Sequence, residues 1–355
     1  RLMFGRVTSV TSTGTGNSAQ DSVRHMERDL YIPGNILYIT KHSLWTINLE
    51  SSTPELIVGS DSGKRPGDPS YQEGQGAEAM FDGLTGFLQW NSTAVIVADS
   101  NNDCVRLVDR VTRRTSRLSG TCDSNIRGVL NAIQGVFSDS FDEAKFHKPY
   151  KIVRDPTNIN RCYVTQREDD EISVMDFNSS TVEVLNFADR LHNPKDLVFE
   201  PGNGDKAYLS QSNQLINVDF NLMTIDIITS YSNGSTFIDG PLPQAFHDPE
   251  ELVLLNEKTL IVASDQKLLR VIDLSTNDTS SICKRDGDSV DRPGTLDRCT
   301  LNKPMSLLYM PEQSRLLIGT KEGIMQLEVM GKLQMIKIAR IVYCVYVSVV
   351  LIDLF

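Results

Sequence analysis

The sequence predicts an all-β fold: a six-bladed β-propeller with an N-terminal strand closing the last blade. Three observations predict it. Six short apolar runs recur along the 355 residues, a second run follows each at a nearly fixed distance, and an apolar-x-x-Pro opener precedes most of them. Repeats of this size are the signature of propellers and solenoids.

The first runs are ILYIT (36–40), VIVAD (95–99), CYVTQ (162–166), AYLSQ (207–211), IVASD (261–265) and LLIGT (316–320). Each is short and rich in β-branched or aromatic residues, as a buried strand should be. The second runs are LWTINL (44–49), VRLVD (105–109), ISVMD (172–176), LINVD (215–219), RVID (270–273) and MQLE (325–328). From the end of the first run to the closing Asp, Glu or Asn is 8 residues in four units and 10 in two. The longer units carry the turns SNND (100–103) and REDDE (167–171), where insertions are tolerated.

Five units begin with an opener: FDGL (81–84), FHKP (146–149), LHNP (191–194), FHDP (246–249) and LNKP (301–304). Proline suits the first position of a strand because it has no N–H to donate. From the opener's apolar residue to the end of the first run is 18, 20, 20, 19 and 19 residues. Successive first runs start 59, 67, 45, 54 and 55 residues apart, a blade plus loops of unequal length. The sixth unit supplies only three strands, and FGRVTSVTST (4–13) reads as its fourth. Pairing the two ends in one blade would leave no open edge.

The expected division is a propeller over 1–332 and an apolar tail over 333–355. The tail's apolar run, 341–352, has 12 residues, whereas a spanning helix needs about 20. A truncated anchor, a β-rich tail and a sequence artefact stay open, and membrane contact is expected only if it is an anchor. The chain starts at Arg1 rather than Met, so it reads as a fragment or a processed form.

Composition is globular, 40% hydrophobic and 23% charged, with a formal net charge of -11. An acidic chain is a poor polyanion binder, which argues against nucleic acid. Arg106, Arg110, Arg113, Arg114 and Arg117 are expected to form a solvated hairpin.

Six cysteines occur with no CxxC pair. Cys104 and Cys122 would lie almost opposite each other if the hairpin between them turns near 111–114. Cys283 and Cys299 bracket one inter-blade loop. Both pairs read as disulfides, which points to an oxidising compartment, while Cys162 reads as a plain buried residue. The sequons at Asn91, Asn178, Asn233 and Asn277 all fall in expected turns. Asn91 lies between a first and second strand, Asn178 and Asn277 between third and fourth strands, and Asn233 in an inter-blade connection. The first three share one face of a propeller, leaving the other freer to bind.

The unit resembles the NHL repeat, with its F-x-x-P opener, a strand like LYVAD, a polar turn and a strand like RIRVID. Residues 80–120 match best, and the resemblance covers about 28–330. It departs where the aspartate of VADS is Gln166, Gln211 and Thr320, and where the first blade lacks a clear opener. The resemblance implies three kinds of relative: extracellular propellers, hydrolases or lyases with a channel metal, and cytosolic scaffolds of ubiquitin-ligase proteins.

For zinc, His147, His192 and His247 occupy the same place in three openers, and three histidines can form a zinc site. In the similar peptidylglycine lyases, however, the ligands follow the opening proline. Here those positions are Tyr150, Lys195, Glu250 and Met305, so that match fails. Calcium-dependent relatives use Asn, Asp and Glu at the channel mouth, which Asp99, Asn101, Asn102 and Glu250 could partly supply. DGDSVD (286–291) lacks the spacing of a calcium loop.

The expected function is a non-enzymatic extracellular or cell-surface scaffold that binds a protein or glycan, with no resident cofactor. The candidate binding residues are Asp99, Asn101, Asn102, Asp103, Glu168, Asp169, Asp170, Asp239 and Asp288.

Overall fold

The computed structural model describes residues 3–12, 22–60, 71–122, 138–229, 239–242, 246, 248–264, 268–283, 290–296 and 298–330. The expectations for Asn233, His247, Asp288 and the tail 333–355 lie outside them. Among the described residues helix is limited to short 3₁₀ turns, and six antiparallel sheets stand in a ring.

Blade 1 is β2 (His25–Arg28), β3 (Asn35–Ile39), β4 (Ser43–Asn48) and β5 (Thr53–Gly59). Blade 2 is β7 (Leu84–Gln89), β8 (Ala94–Asp99), β9 (Cys104–Asp109) and β10 (Arg114–Gly120). Blade 3 is β12 (Pro149–Arg154), β13 (Arg161–Gln166), β14 (Glu171–Asp176) and β15 (Thr181–Val184). Blade 4 is β16 (Leu197–Phe199), β17 (Lys206–Gln211), β18 (Gln214–Asp219) and β19 (Thr224–Ile227). Blade 5 is β21 (Pro249–Asn256), β22 (Thr259–Ser264), β23 (Leu268–Asp273) and β24 (Asp278–Ile282). Blade 6 is β25 (Ser306–Met310), β26 (Arg315–Gly319) and β27 (Gly323–Met330), completed by β1 (Met3–Ser12). The expected closure is present: Phe4 stands opposite Val329 and Ser12 opposite Gly323.

Blades 2, 3 and 5 each gain an outer fifth strand from the preceding connection: β6 (Gly74–Gln75), β11 (Ser138–Ser140) and β20 (Gly240–Pro241). The sequence does not reveal these strands, because two or three residues are too short to show an apolar period.

The apolar runs are continuous because a blade is buried on both faces. In β8, Val95 and Val97 join the cluster shared with blade 1, while Ile96 and Ala98 join the one shared with blade 3. Successive side chains point to opposite faces, and each face meets a neighbour. Six such clusters fill the six gaps between blades. The opener residues Phe81, Phe146, Leu191, Phe246 and Leu301 are buried, each in the gap before its own blade. In blade 1 the buried Val23 stands where the other openers have proline, packs in the gap before the blade and donates its N–H to the Thr320 carbonyl at 3.0 Å. With valine in place of the proline, the sequence hides this opener.

Both expected disulfides are present, with Cα atoms 4.9 Å apart for Cys104–Cys122 and 4.7 Å for Cys283–Cys299. Loops of this length make each worth about 3 kcal/mol through loss of unfolded-state entropy. The first staples the outer hairpin of blade 2. The second ties the end of β24 to the opener of blade 6. Cys162 is a free buried thiol, and burial pushes it up to about 12.

The arginine hairpin corrects one expectation. Arg106 is wholly buried rather than solvated. Its guanidinium lies between the Tyr71 and Phe81 rings and donates to the Met80 and Gln72 carbonyls and to Asp99. Arg110 is also largely buried and pairs with Asp29. These two pack inward because acidic partners and carbonyls replace the water their charges would lose, while Arg113, Arg114 and Arg117 are exposed as expected.

Candidate functional site

The candidates in the turn between second and third strands hold the ring together. Asp99 is buried and accepts from the Asp82 N–H at 2.9 Å, from Asn102 at 2.9 Å and from Arg106 at 3.0 Å. Burial raises its pKa to about 6, against the pull of Arg106. The drift of this position to glutamine now has a reason. Gln166 and Gln211 accept the equivalent N–H groups of His147 and His192 at 2.8 and 2.9 Å. Their amides then donate to Ser173 and Gln214, where Asp99 meets an arginine. A charged acceptor has a charged partner and a neutral one has neutral partners, so no buried charge is left alone.

A second clasp joins successive blades. Asp103, Asp170 and Asn213, all left-handed at φ 54, 60 and 54°, accept the N–H of Lys148, Asn193 and Asp248 in the next opener. Asp103 is buried, and Asp170 also pairs with Arg190. Asn101 donates to Asp82, and Asp239 pairs with Arg270 and Ser281. Of the described candidates, Glu168, Asp169 and Asp239 present exposed side chains, the first two meeting Lys148 and His147. His192 is exposed, and His147 pairs with Asp169.

The structure instead gathers side chains along the channel. In β12, Pro149 stands opposite Gln166 and Ile152 opposite Val164, so Tyr150 and Lys151 together oppose Thr165. In β21, Glu250 and Glu251 likewise oppose Ala263. Each bulge re-aims two successive residues that a regular strand would send to opposite faces. Both pairs reach the axis, because blades 3 and 5 touch through them across the position of blade 4. The Tyr150 hydroxyl donates to Glu250 at 2.7 Å, and Lys151 Nζ lies 2.9 Å from Glu251.

The deeper tier is Lys151, Asp196, Glu251 and His25, all buried. Lys151 Nζ also lies 3.2 Å from Asp196, and His25 Nε2 lies 3.7 Å from Glu251. The His25 Nδ1 accepts the Phe87 N–H at 3.2 Å, which leaves the ring proton on Nε2. Burial and the Lys151 charge hold His25 well below its ordinary pKa. Burial raises Glu251 to about 8; Lys151 opposes this and Asp196 adds to it. Burial would lower Lys151, but Asp196 and Glu251 raise it more. Gly86 fills the equivalent place in blade 2, where a Cβ would come within 2.5 Å of the Tyr150 carbonyl oxygen.

A channel metal does not fit this donor set. The two facing carboxylates converge on the protein's own ammonium group, and the free ring nitrogen of His25 is already an acceptor. Among the described residues no cluster of three His, Cys, Asp or Glu could hold a metal ion.

The mouth tier is one residue earlier in the chain: Arg24, Thr85, Tyr150, Lys195, Glu250 and Met305. Lys195 is 1% exposed at its side chain and pairs with Asp248 and with Glu250, the latter at 3.2 Å. Arg167, from the turn of blade 3, lies over the Tyr150 ring at 4.8 Å and donates Nε to Asn193 at 2.7 Å. Burial and the neighbouring Glu250 push the Tyr150 hydroxyl well above its ordinary pKa. Sequence reasoning set the positions after the proline aside because they matched no metal set. The usable signal was a polar residue at the same offset in three openers. Tyr150 and Glu250 are 100 residues apart, and nothing local pairs them.

Antiparallel order puts openers and second-to-third-strand turns on one face of the ring. The sequons at Asn91, between β7 and β8, at Asn178, between β14 and β15, and at Asn277, between β23 and β24, lie on the opposite face. All three asparagines are exposed.

No protein-family model matches the chain, and no curated protein matches it. Solved structures define the class as β-propeller. An auxiliary nutrient binding protein from Bacteroides thetaiotaomicron VPI-5482 aligns with TM-score 0.66 and 13% identity, over 93% of this chain and 77% of that one. An auxiliary nutrient binding protein from Bacteroides ovatus ATCC 8483 gives 0.64 and 13%, over 92% and 77%. A putative phosphatase from Bacteroides thetaiotaomicron VPI-5482 gives 0.64 and 11%, over 94% and 80%. At such identity the likeness is one of fold.

Proposed function

We propose that this chain is a non-enzymatic, NHL-type recognition propeller. It works outside the cell or at its surface and binds a protein or glycan on the face that carries the blade openers. The main support is the contrast between faces. The three described sequons lie on one face, while the opposite face carries the channel mouth with its partly exposed Arg24, Tyr150, Arg167 and Glu250. Two disulfides agree with an oxidising compartment. Two structural neighbours of the same fold are described as nutrient-binding. The deep tier holds its carboxylates and ammonium in mutual pairs, which suits a structural plug better than a reaction centre.

The test is to place a glycan on each face. The pair Asp169→Asn and Glu171→Thr creates a sequon beside the mouth. Binding to arrays of glycans and extracellular proteins should be lost in that variant and kept when Asn91, Asn178 and Asn277 are changed to Gln. Binding that survives the new glycan would overturn the assignment of this face.

A further inference from the structure

Arg24 and Arg167 stand out among the charges of the mouth. Arg24 is half-buried, and its Nε is buried without a hydrogen-bond partner among the described residues. Its backbone N–H is bonded to the Ile39 carbonyl, so the unmet group is the side chain. Arg167 uses Nε on Asn193 and its planar face on Tyr150, with no acceptor on either Nη among the described residues. The nearby Glu250 and Asp248 carboxylates bond Tyr150 and Lys195 rather than either guanidinium among the described residues. Guanidinium groups bind carboxylates through paired N–H donors, which a point charge cannot imitate.

We propose that the channel mouth is a binding site for an acidic sugar, whose carboxylate is held by Arg24 and Arg167 and whose hydroxyls donate to Glu250 and Asp248. This deepens the recognition reading above and rests on it. A single carboxylate fits better than a sulfate cluster or a phosphate chain, because Glu250 beside Arg24 and Glu168 beside Arg167 repel further negative charge. The Glu250 and Asp248 acceptors suit the several hydroxyl donors of a sugar ring. A polypeptide C-terminus would bring its carboxylate without them.

The test uses a disaccharide ending in glucuronic acid, its methyl ester, its glucose counterpart, and a short peptide with a free or amidated C-terminus. Titration calorimetry of the whole chain should show binding of the acid alone. Arg24→Gln and Arg167→Gln should each weaken it about ten- to hundredfold, the range for a hydrogen bond to a charged group. Arg24→Gln should leave the melting temperature unchanged, which separates lost binding from lost folding. Equal binding of acid, ester and glucose sugars, no binding of any, or unaltered binding by both arginine variants would overturn the proposal. Binding of the free-carboxylate peptide in place of the sugar would overturn it too. If array binding is blocked by the glycan at 169 but survives both arginine variants, the recognition reading stands and the acidic-sugar site falls.

Discussion

Two tiers of one channel, built from side chains a single residue apart, have opposite electrostatic character. In the deep tier Lys151 is matched to Asp196 and Glu251 at 3.2 and 2.9 Å, with all three buried. In the mouth Arg24, Arg167 and Lys195 stand with Asp248 and Glu250, and both guanidinium groups keep donors unmet among the described residues. Depth decides the difference. A charge far from water must be satisfied by the chain itself, whereas one at the mouth can be satisfied by water or a ligand.

The largest test of this contrast is Lys151→Met, which leaves two carboxylates buried and unpaired. It should cost about 3–5 kcal/mol in chemical denaturation at pH 8. Adding Glu251→Gln should recover part of the loss. A cost below about 1 kcal/mol would show that the deep tier is not a closed pair, since that is the level of an exposed one.

Next in size is a dependence on pH. Glu251 titrates at about 8 in the fold against 4.5 as its ordinary value, so the folded state holds an extra proton between them. Its stabilising contribution is complete below about pH 4.5 and is lost as pH rises through about 8. Melting temperatures taken across that window should fall less steeply in Glu251→Gln than in the parent chain. Equal slopes would remove Glu251 as the titrating group.

Tyr150→Phe should cost about 1 kcal/mol, because Glu250 keeps Lys195 and some water when the hydroxyl is removed. The smallest effect belongs to Arg24→Gln, which should stay within about 0.5 kcal/mol because no side-chain hydrogen bond among the described residues is lost. If it destabilised the chain as Lys151→Met does, the two tiers would be alike and the comparison would fail.

Much of the ring was legible in the sequence. The run at 95–98 is apolar without interruption because both faces of β8 are buried, and in 105–109 only the buried Arg106 breaks the apolar run before Asp109. The openers were legible because Phe81, Phe146, Leu191, Phe246 and Leu301 each plug a gap between blades. The turn candidates were visible as acidic residues, but their work was not. Asp99, Asp103 and Asp170 clasp neighbouring segments, and a run of polar residues reads the same whether it faces water or a backbone N–H in the next blade.

By itself the sequence determined the blade count, the closing N-terminal strand, the disulfide pairs and the face of the sequons. Each follows from local period, spacing or strand order, which a chain carries along its length. Only the tertiary structure decided the channel. Bulges after Pro149 and Pro249 turn successive residues to the axis, and the ring brings Lys151 to Glu251 and Tyr150 to Glu250 across 100 residues of chain. Which charges meet there depends on closure of all six blades, and no local pattern encodes that meeting.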